Sequence, residues 1–501
     1  MGPEFIIGGC MKNFSKILIC MVLVLLIGIL NGAEKPKNDK MIGVILPFSS
    51  AFAGIANEQK EAIELVMQNY PDYDVIFKDS KSDAAGAVVA FQELLALENP
   101  PFAVISCASW VATALHPLAA EADIFHMVIA SANFSRTVPR HTVRFTLDAS
   151  QEERQLANYL NKFQRIAVYN MDNSYGNGWK KTIETNFKDK IVKAIAYNPQ
   201  HKDFKNDLLE IKNVKPDALV MLSAGNGALI AKQARQLGIT AQFVGTRPIE
   251  RPELLVEAEF TNGLVFTYPT YDVNHPMITL FAKTYETAPT IFGVEAYASI
   301  KSLIIASNQG NLSTSDLFDW YAGKTFTGAL GEIYFDETGD AHYPYMYKEI
   351  SDGEFITAPF QFEMLLNDAK QEIEKTFKQT DQNEQQSTEE LPDPSFFEKI
   401  ISRKVTNFPI EMWIMKKDGT IIYDDNKSEI GLNIFSNEIY AAYPSLVKVA
   451  RTMSSANNGN GEYTFLDVKM KENVTKEIIW ATIVLHDIEY RLALTHIKNN
   501  I

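Results

Sequence analysis

Two α/β lobes built on parallel sheets, followed by a smaller α+β domain with an antiparallel sheet, are what this sequence predicts. Three observations carry that expectation. A strand, loop and helix unit occurs twice, as MIGVILPFSSAFAGIANEQKEAIELVMQNY from Met41 to Tyr70 and as RIAVYNMDNSYGNGWKKTIETNF from Arg165 to Phe187. Between and beyond these copies, apolar runs suited to buried strands alternate with helical patterns, the arrangement of parallel sheets covered by helices. Past Ile356 the alternation gives way to consecutive strand-like runs, which point to an antiparallel sheet.

At the start of the chain, Lys12 and Lys16 precede an apolar run from Ile17 to Leu30, and Gly32 and Ala33 follow it. Basic, apolar and small segments in that order are the pattern of a secretory signal peptide, and the run is shorter than the ~20 residues that span a bilayer. Residues 1–33 are therefore read as a leader, with Met11 as an alternative start and retention as an N-terminal anchor as the competing fate. Glu34 stands where a lipid-attached protein needs cysteine. The mature chain would keep only Cys107, so no internal disulfide can form, and this cysteine reads as a small buried hydrophobe.

In chain order, the candidate strands are IGVILPF at Ile42, DVIFKD at Asp74, FAVISCA at Phe102, HMVIAS at His126, RIAVYN at Arg165, ALVMLSA at Ala218 and QFVGT at Gln242. The stretch GLVFTYPTYD, Gly263 to Asp272, reads as a segment crossing back to the first lobe. A helix with Phe292, Glu295, Tyr297 and Leu303 precedes an antiparallel closing piece that ends near Phe355. Residues 358–394 read as a helix followed by the polar linker TDQNEQQSTEELPDP, too poor in apolar residues to pack. From 395 to 501 a short helix leads into four strand groups, with a hairpin at Asp418-Gly419 and a helix in NEIYAAYPSLVKVARTM.

Composition narrows the chemistry. Of the 501 residues 46% are hydrophobic, enough for packed cores, and a net charge of -15 with no Lys/Arg-rich stripe argues against nucleic acid. The eight histidines show no metal spacing, and no cysteine pair could hold zinc. Neither GxxxxGK[ST] nor GxSxG occurs, and the pairs Gly176/Gly178 and Gly225/Gly227 lack a third glycine in dinucleotide spacing, so these glycines read as turn-formers. No cofactor is expected, and binding is favoured over turnover.

From Met41 to about residue 357 the chain resembles the type I periplasmic solute-binding proteins, in particular the branched-chain amino acid (leucine-binding) group of ABC transport systems. The resemblance rests on IGVILPFSSAFAGIANEQKEAIEL, CASWVATALHPLAAEADI, RIAVYNMDNSYGNGW, KDFKNDLLEIKNVKPDALVM and ARQLGITAQFVGT. It implies two lobes joined by a hinge that close around a small solute. It further implies that Ser109, with Trp110 beside it, holds a ligand carboxylate at a helix N-terminus, that Ser131, Ala132 and Asn133 form a second holding stretch, and that Tyr175 is an aromatic lid. Ordinary loop capping is the alternative for these positions. Where amino-acid-binding relatives place an acid for the ligand ammonium, this chain has Thr246 and Arg247. Arginine suits a carboxylate and cannot pair with an ammonium, so a small carboxylate is the expected solute, with Arg247 either contacting it or facing solvent. Glu295 is a candidate anion from the other lobe.

The tail resembles a different family, the Cache (PAS-like) sensor domains, through KKDGTIIYDDNKSEIGLNIFS, GNGEYTFLDV and IIWATIVLHDIEYRLALTHI. That resemblance implies a pocket beside an antiparallel sheet. Trp413, Tyr423, Tyr443, Trp480 and Tyr490 are its candidate aromatics, with plain core packing as the alternative. The expected function is an exported, non-enzymatic protein that closes on a small organic solute, a carboxylate or amino-acid-like compound, for an ABC permease. The alternative is a sensor that presents its bound state to a membrane receptor or kinase, and the outside alternative is an enzyme using Asp172, Tyr175 and Arg247 on a small carboxylate.

Overall fold

The computed structural model describes residues 37–49, 52–81, 83–131, 140–146, 149–310, 313–384, 393–405, 410–467 and 472–498. The expected leader at 1–33 lies outside the described residues, as do Ala132, Asn133 and residues 385–392 of the linker. Among the described residues no helix is long and apolar enough to cross a membrane.

Aliphatic runs build the first sheet. Strands β1 (Asn38–Leu46), β2 (Asp74–Asp79), β3 (Pro101–Cys107), β4 (Phe125–Ile129) and β5 (Thr142–Arg144) lie parallel in the order β2-β1-β3-β4-β5, joined through helices α1 (Ala53–Met67), α2 (Ala84–Leu95) and α3 (Ser109–Glu121). Every residue of β3 is buried, as a strand covered on both faces requires. The chain then crosses to a second lobe made of α4 (Ala149–Leu160), β6 (Ile166–Met171), α5 (Ser174–Phe187), β7 (Ile191–Tyr197), α6 (Lys205–Asn213), β8 (Ala218–Leu222), α7 (Gly227–Gln236), β9 (Gln242–Gly245), the short α8 (Pro252–Val256) and α9 (Ala258–Thr261), and β10 (Val265–Pro269). Here one expectation is corrected. The first half of GLVFTYPTYD is strand β10, fully buried and parallel to β9, and the crossing begins only after it.

Helices α10 (Pro276–Tyr285) and α11 (Ile291–Asn308) return to the first lobe and pack on α1. After α12 (Thr314–Tyr321), strands β11 (Thr325–Gly328), β12 (Gly331–Phe335) and β13 (Ala341–His342) form a small antiparallel sheet. A third crossing delivers β14 (Tyr345–Ser351) and β15 (Glu354–Thr357) to the second sheet, whose order is β15-β14-β10-β9-β8-β6-β7.

The C-terminal unit contains α13 (Pro359–Glu384), α14 (Pro394–Val405), β16 (Ile410–Lys416), β17 (Ile421–Tyr423), α15 (Pro444–Ser455), β18 (Asn458–Asp467), β19 (Glu472–Leu485) and β20 (Ile488–Ile497), with the antiparallel order β17-β16-β20-β19-β18. The expected hairpin joins β16 to β17, with Gly419 alone at positive φ, 90°. Thr380 to Glu384, expected as linker, continue α13 because the stretch holds no Gly or Pro to stop an established helix. That helix is a layer of the C-terminal unit: Phe362, Leu366, Ile373 and Phe377 share a core with Met412, Ile483 and Leu492 of the sheet. Its first turn is tied to the second lobe, where Gln361 Oε1 accepts the Tyr347 amide at 3.0 Å and Phe360 packs edge-on against Tyr159 and Tyr347.

Candidate functional site

Ligands of open α/β sheets bind beyond the carboxyl ends of the parallel strands, and here those ends of β3, β4 and β9 face one another across the lobes. The turn after β3 forces Ala108 to φ 73°, a conformation that non-glycine residues rarely adopt, and α3 starts at the next residue without a side-chain cap. Ser109 and Trp110 thus occupy the first turn of α3, whose free amides carry a partial positive charge. Ser131 follows β4 and is buried. From the second lobe come Tyr175, in the first turn of α5, and Arg247, in a 3-10 turn directly after β9.

These five residues line one pocket with Phe52, Ile55, Cys107, Ile129, Pro248 and Phe292 among its other walls. The pocket encloses only about 30 Å³, so the two lobes are drawn close here. Phe52 meets Trp110 edge-on at 5.1 Å. Burial pushes the Cys107 thiol up to about 12, which keeps it the small hydrophobe that its setting suggested.

Arg247 does not face solvent; it is 3% exposed and stands between two buried carboxylates. Its Nη1 lies 3.6 Å from Glu295 Oε1, across the lobes, and its backbone amide donates to Glu152 Oε1 at 3.4 Å. Glu295 was expected to meet the ligand but sits behind Arg247: Oε1 accepts from the Tyr343 hydroxyl at 2.6 Å and Oε2 from Thr146 at 2.8 Å. Glu152 accepts from Thr267 at 2.6 Å. Burial raises both carboxyls above their ordinary range, against the pull of Arg247. Burial also opposes the guanidinium charge, but Tyr345, Glu295 and Glu152 outweigh it and hold Arg247 protonated. Nη1 and the Trp110 Nε1 are buried and without hydrogen-bond partners among the described residues. The Tyr175 hydroxyl hydrogen-bonds the Thr246 hydroxyl, which ties this ring to the loop carrying Arg247.

A second inter-lobe contact was not foreseen. Arg251 lies against Gly54, where a Cβ would come within 2.2 Å of its Nη2, and 4.0 Å from Glu58 on α1. Glu58 accepts from the Thr290 amide at 2.6 Å and the Gly293 amide at 3.1 Å, yet burial dominates and raises its pKa to about 7. A raised carboxyl binds its proton more tightly in the folded state, so its contribution is complete below the unfolded value of 4.5 and is lost as pH rises to about 7. At ~1.4 kcal/mol per unit, Glu58→Gln should stabilise the chain by roughly 3 kcal/mol more at pH 8 than at pH 4.5, relative to wild type. Urea unfolding at the two pH values checks this.

In the C-terminal unit the five candidate aromatics do not converge, which corrects the expectation of one pocket. Trp413 and Trp480 flank Ala493 on the face packed by α15, and Tyr443 packs at a tilt against Phe465 at 4.5 Å on that side. Tyr423 and Tyr490 point to the opposite face, toward α13 and α14. Strand alternation puts them there, since residues separated by an odd step fall on opposite sides.

Among the described residues no group of three or more His, Cys, Asp or Glu could hold a metal. Residues 41–354 match the family described as periplasmic binding protein. The chain belongs to that family. It is accordingly a solute-binding protein of an exported family and not an enzyme. An extracellular ligand binding receptor from Desulfohalobium retbaense is 38% identical over 91% of this chain and 99% of its own, with a TM-score of 0.70. The leucine binding protein LivK from Thermotoga maritima shares the fold at 21% identity, covering 64% of this chain and 97% of its own, with a TM-score of 0.59. So does a solute binding protein of an ABC transporter from Rhodopseudomonas palustris, solved with 3,4-dihydroxybenzoic acid, at 21% identity over 64% of this chain and 96% of its own, TM-score 0.57. No curated protein matches the chain.

Proposed function

We propose that this periplasmic binding protein closes on a compact organic carboxylate with an apolar, preferably aromatic, body and delivers it to an ABC permease. The observation that carries this reading is the pair of buried donors that make no hydrogen bond among the described residues, Trp110 Nε1 on one lobe and, on the other, Arg247 Nη1, which stands 3.6 Å from Glu295, at a single apolar pocket. An unpaired buried donor costs about 1–3 kcal/mol, a penalty that a ligand oxygen between the lobes would remove. Ser109, Ser131 and the first turn of α3 would share the carboxylate, while Phe52, Ile55, Ile129 and Phe292 would enclose the body. The described lining residues include no carboxylate, so an α-ammonium group would lack a counter-charge. The dihydroxybenzoate held by the Rhodopseudomonas relative is a solute of the proposed kind.

Calorimetry of the purified protein against benzoate, 4-hydroxybenzoate, a branched 2-oxo acid and leucine tests the reading. Stoichiometric binding of at least one carboxylate, roughly tenfold or more tighter than leucine, is the expected result. Leucine as the tightest ligand would overturn it.

A sensor role is the second reading, favoured by the C-terminal unit fastened to the second lobe through α13. That unit we propose to be Cache-like. Co-purification of the ligand-loaded protein with a permease supports transport, and with a membrane kinase or receptor, sensing.

A further inference from the structure

A second cavity, of about 300 Å³, lies on the far side of α11 from the jaws. That is the lower end of volumes that hold drug-sized ligands. One helical face of α11 supplies Tyr297, Lys301 and Ile305; Trp320 of α12 and Phe326 of β11 close the apolar wall; and His275, at the N-terminus of α10, stands at the rim. None of these residues lines the inter-lobe pocket.

Beside the hydroxyls of Tyr297, Ser302 and Thr327, the polar side chains of this cavity are two nitrogen groups, Lys301 and His275. Lys301 is half-buried, and its ammonium donates to the Tyr297 hydroxyl at 3.4 Å while forming no ion pair among the described residues. His275 Nδ1 accepts the Met277 amide at 3.2 Å, which leaves Nε2 to carry the hydrogen of the neutral ring. Burial, then the neighbouring Lys301 charge, lowers the His275 pKa and keeps that ring neutral. The indole of Trp320 is fixed by its Nε1 donating to Gln309 at 2.9 Å, so it presents only its aromatic surface. An aromatic-walled cavity with a cation and an N–H at its rim, and no acid among its described lining residues, matches an amphiphilic anion; Asp272, outside the lining, acts on His275 but is outweighed there by burial and Lys301.

We propose that this cavity is a second small-molecule site, selective for a compact aromatic carboxylate whose ring packs among Tyr297, Trp320 and Phe326 and whose carboxylate meets Lys301 and His275.

The test uses 4-fluorobenzoate as a probe of the full chain, followed by fluorine NMR. A bound resonance is expected that disappears in Ile305→Trp, which fills the cavity, and that needs about tenfold more probe in Lys301→Gln, while any resonance from the jaws is untouched. Lys301→Gln alters a half-exposed side chain, so it carries the test even if Ile305→Trp fails to fold. If every bound resonance up to millimolar probe is indifferent to Lys301→Gln, or none forms, the proposal is overturned. Failure of the jaws to take a carboxylate would instead leave one resonance, sensitive to Lys301.

Discussion

Arg247→Ala is expected to lower carboxylate affinity by about a hundredfold and unfolding free energy at neutral pH by about 3 kcal/mol. Both effects follow from the position of its guanidinium between Glu152 and Glu295. Removing the cation leaves two buried carboxylates without their counter-charge, and truncating one partner of such a group costs more than the pair itself contributes. Both carboxyls already titrate above their ordinary range through burial, so the variant should recover stability as pH falls and they take up protons. The double variant Arg247→Met/Glu295→Gln separates the roles: it should regain part of the stability, because Glu295 loses its charge along with the cation and only Glu152 is left buried without a counter-charge, and it should regain no affinity. Denaturant unfolding and calorimetry on the same samples decide it. Unchanged carboxylate affinity in Arg247→Ala would remove the arginine from the solute site.

The second large effect concerns two glycines two residues apart. A Cβ on Gly176 would sit 2.0 Å from the Met171 carbonyl oxygen and 2.9 Å from its carbon, both backbone atoms at the end of β6 that no rotamer change can move aside. Gly176→Ala should therefore cost about 3 kcal/mol and, by displacing Tyr175, weaken solute binding. Around Gly178 there is nothing within 4 Å, and the position is an exposed helical one. Gly178→Ala should stabilise the protein, by up to about 1 kcal/mol. Opposite signs in thermal unfolding of the two variants are the expected result. Equal effects would mean that the approach of α5 to β6 is not what Gly176 provides.

Much of this architecture could be read from apolar runs. β3, β4, β6, β8 and β9 are buried almost throughout, as is β1 from Ile42 on, and burial on both faces leaves continuous aliphatic sequence. β7 escaped notice because it is an edge strand whose residues are mostly half-buried, and β5 because it has only 3 residues. Both Gly176 and Gly178 were read as turn-formers, yet both lie within α5; spacing cannot say which one meets a neighbouring carbonyl. Ser109, Trp110, Ser131, Tyr175 and Arg247, named through comparison with the family's pattern, come together at one pocket. Glu152 was missed, since an acid in the first turn of a helix reads as a complement to the helix dipole and its partner Thr267 lies 115 residues away. Phe52 and Phe292 were hidden for a related reason: an aromatic near the start of a helix carries no mark of the cleft.

Helix α13 gives the molecule a mechanical property that neither part has alone. Its first turn is bonded to β14 of the second lobe, and most of its buried face is sunk into the C-terminal sheet. At 26 residues it is a rod about 39 Å long with one end clamped to the second lobe, which is a jaw of the proposed closure. A small rotation of that jaw becomes a displacement several times larger at the far end of the rod, so a solute the size of a benzoate could be read out as a swing of an entire domain.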